Sequence, residues 1–484
     1  MNVKAISKNV GLALLVSSFF MLLSVGISLL YGMDSGFLPL LISFTITFIV
    51  GIFPLIFIRE AQQINIKEGF VIIVLAWLLS FVFGMMPYVM WGGEISFADA
   101  WFESVSGFTT TGATILADIE ALPPSLLFWR SSTHFIGGLG VVVFLLIIIP
   151  SASPFRQRLA NIEVSPLSQE GSQIPRRKFV TVICVVYFSI FLVATLSLFL
   201  CGMPLFDAVN HGFSLCATGG FSTKNASIAA YDSPLINVVS MLIMIAATIN
   251  FTIYYSCLAR RSMKPFINDR KVRFYLASIV IMAMTVALSL RLFGGYESWG
   301  RALLDGVCTT VSYVTTTGFG FVDNSCWPFL AGIVLMYASI QCAISGSTSS
   351  GVKVDRMLVV FKSVSREIRT RLHPSSTYRI RLGSSYLPDE QVLPVILYIV
   401  LYFAIAGISM FGLLLCGMDG LEAVSGSIAC LGNVGPGLGS IATAGNYNDV
   451  PTVAKFIFTV DMFMGRIEIY PLLVTVSLLF KKDR

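Results

Sequence analysis

Runs of about 20 apolar residues recur along the chain, each long enough to cross roughly 30 Å of hydrocarbon as a helix. Two of them, 10–32 and 36–58, lie side by side and predict a helical hairpin. The first follows Lys4 and Lys8 as a secretory leader would. It is too long for a leader, shows no small-residue cleavage site and leads straight into the second span, so a retained helix is expected. The pattern then changes. Four units follow, about 68–150, 179–259, 272–372 and 388–481, each with a span, a short segment and a second span. The short segments, such as 98–108 and 206–216, allow helices of only about 16 Å at 1.5 Å per residue. Such a helix reaches halfway into a bilayer and must return as extended backbone, which is tolerated only inside protein or along a water-filled cavity. Ten spans and four re-entrant loops result, with basic linkers at 151–178, 260–271 and 373–387.

The short segments share one spacing. Asp99, Asp207, Asp305 and Glu422 each lie thirteen residues before a glycine, Gly112, Gly220, Gly318 and Gly435. Ser106, Ser214, Ser312 and Ala429 stand six residues before the same glycines, which recur at intervals of 108, 98 and 117 residues. One such loop alone would be an ordinary helix C-cap. Four in phase, each between two spans, predict copies of one loop around a common axis. The expected fold is an all-α polytopic membrane protein with four tandem helix–pore loop–helix repeats around a pseudo-four-fold pore, preceded by an N-terminal two-helix hairpin. The expected partition is 1–62 for the hairpin and 63–160, 161–265, 266–380 and 381–484 for the repeats.

Composition agrees with a membrane protein: 56% of the 484 residues are hydrophobic and 12% charged, against about 25% charged in a soluble domain. The net charge of +6 follows the positive-inside rule, because these spans put 26 of the 32 Lys and Arg residues on one side. Arg156, Arg158, Arg176, Arg177, Lys178, Arg260, Arg261, Lys264 and the run 353–381 are among them. Glu94, Asp99, Glu103, Asp118, Glu120, Asp419, Glu422 and Asp449 fall on the other. Both termini are therefore expected in the cytoplasm, and no nucleic-acid partner is required. The nine cysteines show no CxxC spacing; Cys184, Cys257 and Cys342 lie in apolar runs, where cysteine acts as a small hydrophobe.

The loops suit a cation. Four stretches aiming backbone carbonyls at one axis replace a hydration shell, glycine admits φ > 0, and each short helix points its negative end at the pore. Carboxylates at the outer mouth would concentrate cations. In the third unit Ser345, Gly346, Ser347, Thr348, Ser349, Ser350 and Gly351 interrupt the second span. Such a segment suits an unwound loop inside a pore, or else a serine-rich kink. Lys353, Arg356, Lys362, Arg366, Arg369 and Arg371 follow on an amphipathic helix that would meet either a regulatory partner or anionic headgroups. Arg466 sits in the middle of the last span, where a charge is a functional candidate; the alternative pairs it with Asp461 or Glu468. Asn250 would face the pore or join helices, and His211 would support its pore helix rather than carry protons. Gly137, Gly138 and Gly140 would allow close helix packing.

These residues resemble the Trk/Ktr/HKT superfamily of potassium transporters over essentially the whole chain. The hairpin and length are similar to the bacterial TrkH-type subunit rather than the shorter KtrB type. The specific parts are the four loops, the glycine-rich run 433–439, and Gly465 with Arg466. The resemblance implies a selectivity filter for potassium formed by Thr110, Thr111, Gly112, Thr218, Gly219, Gly220, Thr316, Thr317, Gly318, Asn433, Val434 and Gly435. Glycine in all four copies favours potassium, since serine at the first marks the sodium-selective plant branch. It also implies gating by 345–351 and by Arg466 as an electrostatic barrier below the filter. A homodimer in the bacterial inner membrane and a cytosolic TrkA-type ring responding to NAD(H) or ATP are implied as partners, with no cofactor on this chain. Two departures stand out: Ser349 and Ser350 where the family is richer in glycine, and His134 and Phe135 where Gln-Trp is common; the fourth loop lacks threonine, as is usual in the family.

Potassium uptake through a gated pore is thus expected, with potassium symport coupled to sodium or protons as the alternative. A solute carrier would call for inverted repeats and an intramembrane carboxylate pair, whereas these repeats run in parallel. Three histidines and no HExxH leave an intramembrane enzyme without its chemistry. A scaffold with a dead pore has no use for intact loop glycines.

Overall fold

The computed structural model describes residues 2–58, 65–93, 95–148, 176–382, 385–387 and 389–480. Glu94, Arg156, Arg158, most of the linker 151–178 and the partition points near 62 and 160 lie outside the described residues.

Helices α1 (Val3–Leu30) and α2 (Phe37–Phe57) form the hairpin. A Cβ on Gly11 would stand 2.5 Å from the Gly51 carbonyl oxygen, the backbone approach that small residues permit between helices in lipid. Repeat one follows as α3 (Ile66–Trp91), the short α4 (Phe97–Phe108) and α5 (Pro124–Ile148). Repeat two comprises α6 (Arg176–Leu200), the short α7 (Leu205–Ala217), α8 (Pro234–Ala247) and α9 (Phe251–Arg260), with α10 (Lys264–Asn268) as its link onward. Repeat three runs through α11 (Arg270–Phe293), the short α12 (Trp299–Val314), α13 (Phe329–Gln341) and α14 (Val354–Leu372). Repeat four is α15 (Asp389–Leu415), the short α16 (Gly420–Leu431), α17 (Thr452–Arg466) and α18 (Tyr470–Phe480). The extended pairing among the described residues is a two-residue ladder, Arg381–Leu382 against Ser385–Tyr386. All nine cysteines are free.

The acidic residue of the repeated spacing has a local reason. Asp99 completes a capping box with Ser96, and Asp207 and Glu422 also fall in the first turn of their short helices, where a carboxylate meets the positive end of the helix dipole. Asp305 lies deeper in α12.

Of the ten expected spans, four are not single straight helices, and only the break in repeat three was expected. Among the described residues, six helices are long and apolar enough to cross a membrane, or seven if one bent pair counts as a span. They are the hairpin and the opening helix of each repeat. Every closing helix is broken. Gly140 interrupts α5 with φ 68° and ψ 156°, α8 and α9 meet at 89°, residues 342–353 separate α13 from α14, and residues 467–469 separate α17 from α18. Glu468 and Ile469 both hold φ of 60°, a conformation that a β-branched residue adopts only under strain.

The largest core packs α3, α4 and α5 against α17 through Trp77, Phe81, Phe102, Phe108, Trp129 and Phe463. Phe53, Val193, Ile281 and Phe411 are exposed on the hairpin and opening helices, as side chains that face hydrocarbon should be.

Candidate functional site

The four short helices end in one way. Thr110, Thr218, Thr316 and Asn433 take left-handed φ values of 53°, 54°, 57° and 53°. Each donates its N–H to the carbonyl three residues back, at Gly107, Leu215, Tyr313 and Cys430. The next N–H reaches five back, Thr111 to Ser106, Gly219 to Ser214, Thr317 to Ser312 and Val434 to Ala429, at 2.8–3.0 Å. This is a Schellman ending, so the C-cap and the pore loop are one structure. Threonine or asparagine occupies the position that glycine usually takes, at a strain of about 1–3 kcal/mol each. The recurring serine has its role here too. Ser106 Oγ donates to the Ala113 carbonyl (2.6 Å) and Ser312 Oγ to that of Phe319 (2.8 Å), while Ser214 Oγ pairs with His134 Nδ1 (3.1 Å).

The glycines close the loops into a ring. Gly112, Gly220, Gly318 and Gly435 have φ of 80°, 89°, 71° and 95°. A Cβ on Gly112 would fall within 3.0 Å of the Gly219 oxygen, one on Gly220 of Thr317, one on Gly318 of Val434, and one on Gly435 of Thr111. Each glycine therefore abuts the carbonyl that precedes the glycine of the next repeat, and the fourth returns to the first. All twelve residues expected in the loops are brought together in this way. Asn433 Nδ2 joins the fourth loop to the first through Thr111 Oγ1 (2.9 Å) and is anchored on the Met462 carbonyl (2.8 Å).

All four glycines line one cavity of about 50 Å³, with Arg130, Lys224, Asn225, Thr443 and Tyr447 also in its wall. The lining itself holds no Asp or Glu; of the acids expected at the outer mouth, Asp118 and Glu120 stand against its wall, bonded to Asn225 and Lys224, while others do not reach it. Other carboxylates are engaged elsewhere: Asp99 by Lys455 Nζ (2.7 Å), Glu103 by Arg130 Nε (2.5 Å), Asp207 by Thr223 Oγ1 (2.7 Å), and Glu422 by the Ser440 N–H (3.0 Å). Arg130 is 1% exposed, donates also to the Ser222 carbonyl (2.8 Å) and lies 3.5 Å from the centre of the Phe221 ring. His134 stacks on the same ring at 4.1 Å. His211 bridges Ser222 Oγ (2.9 Å) and the Asp207 carbonyl (2.8 Å), a support role.

The breaks in repeats two and four meet residues 345–351, which form the break in repeat three. Gly346 and Gly351 have φ of 84° and 77°, and Cys342 and Lys353 at the flanks have 53° and 74°. Asn250 Nδ2 donates to the Ser345 carbonyl (2.9 Å), the Phe251 N–H to that of Gly346 (3.2 Å), and Thr348 Oγ1 to that of Ala247 (3.2 Å). Ser347 Oγ donates to the Ile344 carbonyl (2.6 Å) and pairs with Ser349 Oγ (3.0 Å). Arg466 donates to the Thr348 carbonyl (2.9 Å), Ser350 Oγ (3.2 Å) and the Gly137 carbonyl (2.6 Å). It thus ties the loop to repeats one and four.

The alternative partners of Arg466 are taken. Glu468 accepts from Lys353 Nζ (2.7 Å) and Arg356 Nη2 (2.5 Å), and Asp461 bonds Ser409 Oγ (2.5 Å). Lys353 and Arg356 are therefore buried, while Arg369 and Arg371 on the same helix face outward. Asn250 caps α9 instead of standing free in a pore. The breaks at Gly140, 248–250 and 467–469 were not foreseen. Asn250 followed by Thr252 is an N-cap signature that marks the second; Glu468 and Ile469 carry no such mark.

Four helix–loop–helix units closed into a ring of carbonyls define a pseudo-four-fold membrane transport protein. Residues 40–484 match the TrkH family, described as cation transport proteins, and the chain belongs to that family of transporters. The Trk system potassium uptake protein TrkH of Salmonella typhimurium is 31% identical over 490 residues, covering all of both chains. The Trk system potassium uptake protein TrkI of Halomonas elongata is 34% identical over 400 residues, 81% of this chain and 80% of its own. The crystal structure of the potassium transporter TrkH from Vibrio parahaemolyticus matches with a TM-score of 0.88 at 31% identity, covering 99% of each chain.

The Arg130–Glu103 pair is buried on both sides, so removing one partner leaves an uncompensated charge at a cost of about 3–5 kcal/mol. Arg130→Met and Glu103→Gln are each expected to lower the thermal unfolding midpoint of the detergent-solubilised protein. The double variant is expected to recover much of the loss; additive losses would count against the pairing.

Proposed function

We propose that the chain takes up potassium across the bacterial inner membrane through the axis of the four-glycine ring. The observation that carries this reading is the closure of the ring, in which each glycine abuts the next repeat's carbonyl. Carbonyls at Thr111, Gly219, Thr317 and Val434, with those of Thr110, Thr218, Thr316, Asn433 and the four glycines, supply the oxygens. A dehydrated potassium ion requires about six to eight of them. The loops are neutral, and their short helices aim negative dipole ends at the axis, which suits a monovalent cation. The partition into a hairpin at 1–62 and repeats at 63–160, 161–265, 266–380 and 381–484 goes with this reading.

Residues 345–351 and Arg466 act as the gate. The support is that Arg466 holds the loop by two hydrogen bonds and repeat one by a third, and that the breaks in repeats two and four adjoin the loop. A cytosolic TrkA-type ring that senses NAD(H) or ATP would release the loop by pulling on α14, whose outward arginines lie on the side assigned to the cytoplasm together with both termini. A homodimer with one pore per protomer completes the assembly. Potassium symport with sodium or protons is the second reading. It is favoured by Asp461, a 1% exposed carboxyl whose Oδ2 has no hydrogen-bond partner among the described residues.

Rubidium-86 uptake into proteoliposomes, with and without a TrkA-type ring, tests the filter. Uptake by wild type is expected to be blocked by potassium and not by sodium. Gly112→Ser and Gly435→Ser are expected to lose about ten-fold or more in rate, one carbonyl contact at roughly 1.4 kcal/mol. Flux indifferent to both substitutions would remove the ring from the ion path. For the gate, Arg466→Gln is expected to raise uptake in the absence of the ring; an unchanged basal rate would assign Arg466 a purely structural role.

A further inference from the structure

The cavity over the four glycines has a cationic wall, which is unexpected at the outer end of a cation path. Its two charged lining residues are Arg130 and Lys224. Arg130 is immobilised: it is buried, paired with Glu103 and stacked on Phe221. Lys224 is also paired, but at the surface and, among the described residues, without an aromatic ring beneath it. Its side chain is 35% exposed, and its ammonium is held by Glu120 Oε2 at 3.1 Å, a carboxylate itself 45% exposed.

The backbone around this pair is fixed while its side chains are not. The segment after the first glycine and the segment after the second are latched together. Asn225 Oδ1 accepts from the Ile119 N–H (2.6 Å), Asn225 Nδ2 donates to Asp118 Oδ1 (2.9 Å), and the Lys224 N–H donates to Ser222 Oγ (3.0 Å). The Asn225 N–H also reaches Glu120 Oε1 (3.3 Å), so Glu120 is oriented by backbone while it holds the lysine. Lys224 therefore carries its ammonium on a flexible stem from a rigid point in the cavity wall. An exposed ion pair of this kind is worth at most about 1 kcal/mol, so it exchanges readily.

We propose that Lys224 is a tethered competitor for the incoming cation, and that Glu120 sets the rate of ion admission by holding the ammonium aside. With the pair formed, the two charges cancel at the mouth. With it broken, the ammonium faces the neutral ring and repels the ion that must pass. The assignment makes Lys224 and Glu120 rate-determining positioning residues for transport. It rests on the reading that the four-glycine ring is the ion path.

The test is initial rubidium-86 uptake by wild type, Lys224→Gln, Glu120→Gln and the double variant, at subsaturating rubidium and low ionic strength. Lys224→Gln is expected to raise the rate about three-fold and Glu120→Gln to lower it by a similar factor, within the range that local charge exerts on association. In the double variant the effect of Glu120→Gln should shrink to the attraction of the bare carboxylate alone, because there is no ammonium left to release. Both single effects should shrink when an impermeant salt is added, as screening of exposed charges requires. Equal rates in wild type and Lys224→Gln would overturn the proposal, as would a loss from Glu120→Gln that is as large without Lys224 as with it. Uptake that is the same in wild type, Gly112→Ser and Gly435→Ser would instead sink the ion-path reading, so the two failures are separable.

Discussion

Each loop glycine lies where the carbonyl of the neighbouring repeat leaves no room for a side chain. That contact is mutual around the ring, so no loop can be placed without the next. Four chain reversals must then arrive at one depth with one backbone conformation. The short helices achieve this by ending identically, with the same left-handed residue and the same two backbone hydrogen bonds. The strain at Thr110, Thr218, Thr316 and Asn433 persists because the ring over-determines it. Aromatic packing of Phe81, Phe102 and Phe108 around α4 and the buried Arg130–Glu103 pair then hold the first short helix at that depth.

Placing backbone at mid-membrane creates a second demand. Carbonyls and N–H groups outside helices must find partners within the protein. The closing helices meet it by breaking next to one another. Residues 345–351 receive donors from the break in repeat two and from Arg466 at the break in repeat four, while Arg466 also binds Gly137 of repeat one. Glu468, in the strained turn that ends α17, holds Lys353 and Arg356 at the start of α14. The start of α14 is thereby fastened to the turn that follows Arg466. The buried first turn of α14 and the helix end that carries Arg466 are thus one connected unit.

Much of this arrangement was legible in the sequence, and the limits follow from physics. The spans and hairpin were visible because lipid demands long apolar runs. The four loops were visible because a ring imposes one spacing on the acid, the serine and the glycine. The acid, however, is a capping residue or an ion-pair partner, and its spacing alone could not distinguish that from a mouth ligand. Three of the four breaks were hidden because only the third is spelled in small polar residues. Glu468 and Ile469 adopt φ of 60° under tertiary constraint, against their own preference. The burial of Lys353 and Arg356 was equally hidden, since their counter-ion lies more than a hundred residues away.

The ring repeats four times in backbone pattern, whereas its side chains match only between loops one and three. Loops one and three, which face each other across the ring, each pair two hydroxyls, Thr109 with Thr111 and Thr315 with Thr317, both at 2.8 Å. Both also use their recurring serine to hold the carbonyl just after the glycine. Loops two and four depart from this. Ser214 binds His134, Ala429 has no hydroxyl, and Asn433 spans to Thr111 while Tyr447 OH binds the Gly435 carbonyl (2.7 Å). The side chains differ because they face different neighbours behind the ring, whereas the carbonyls face one another. Backbone geometry is thus the shared requirement, and each repeat meets it with whatever donor its own surroundings supply. That is why the fourth loop can lack threonine and still take its place in the ring.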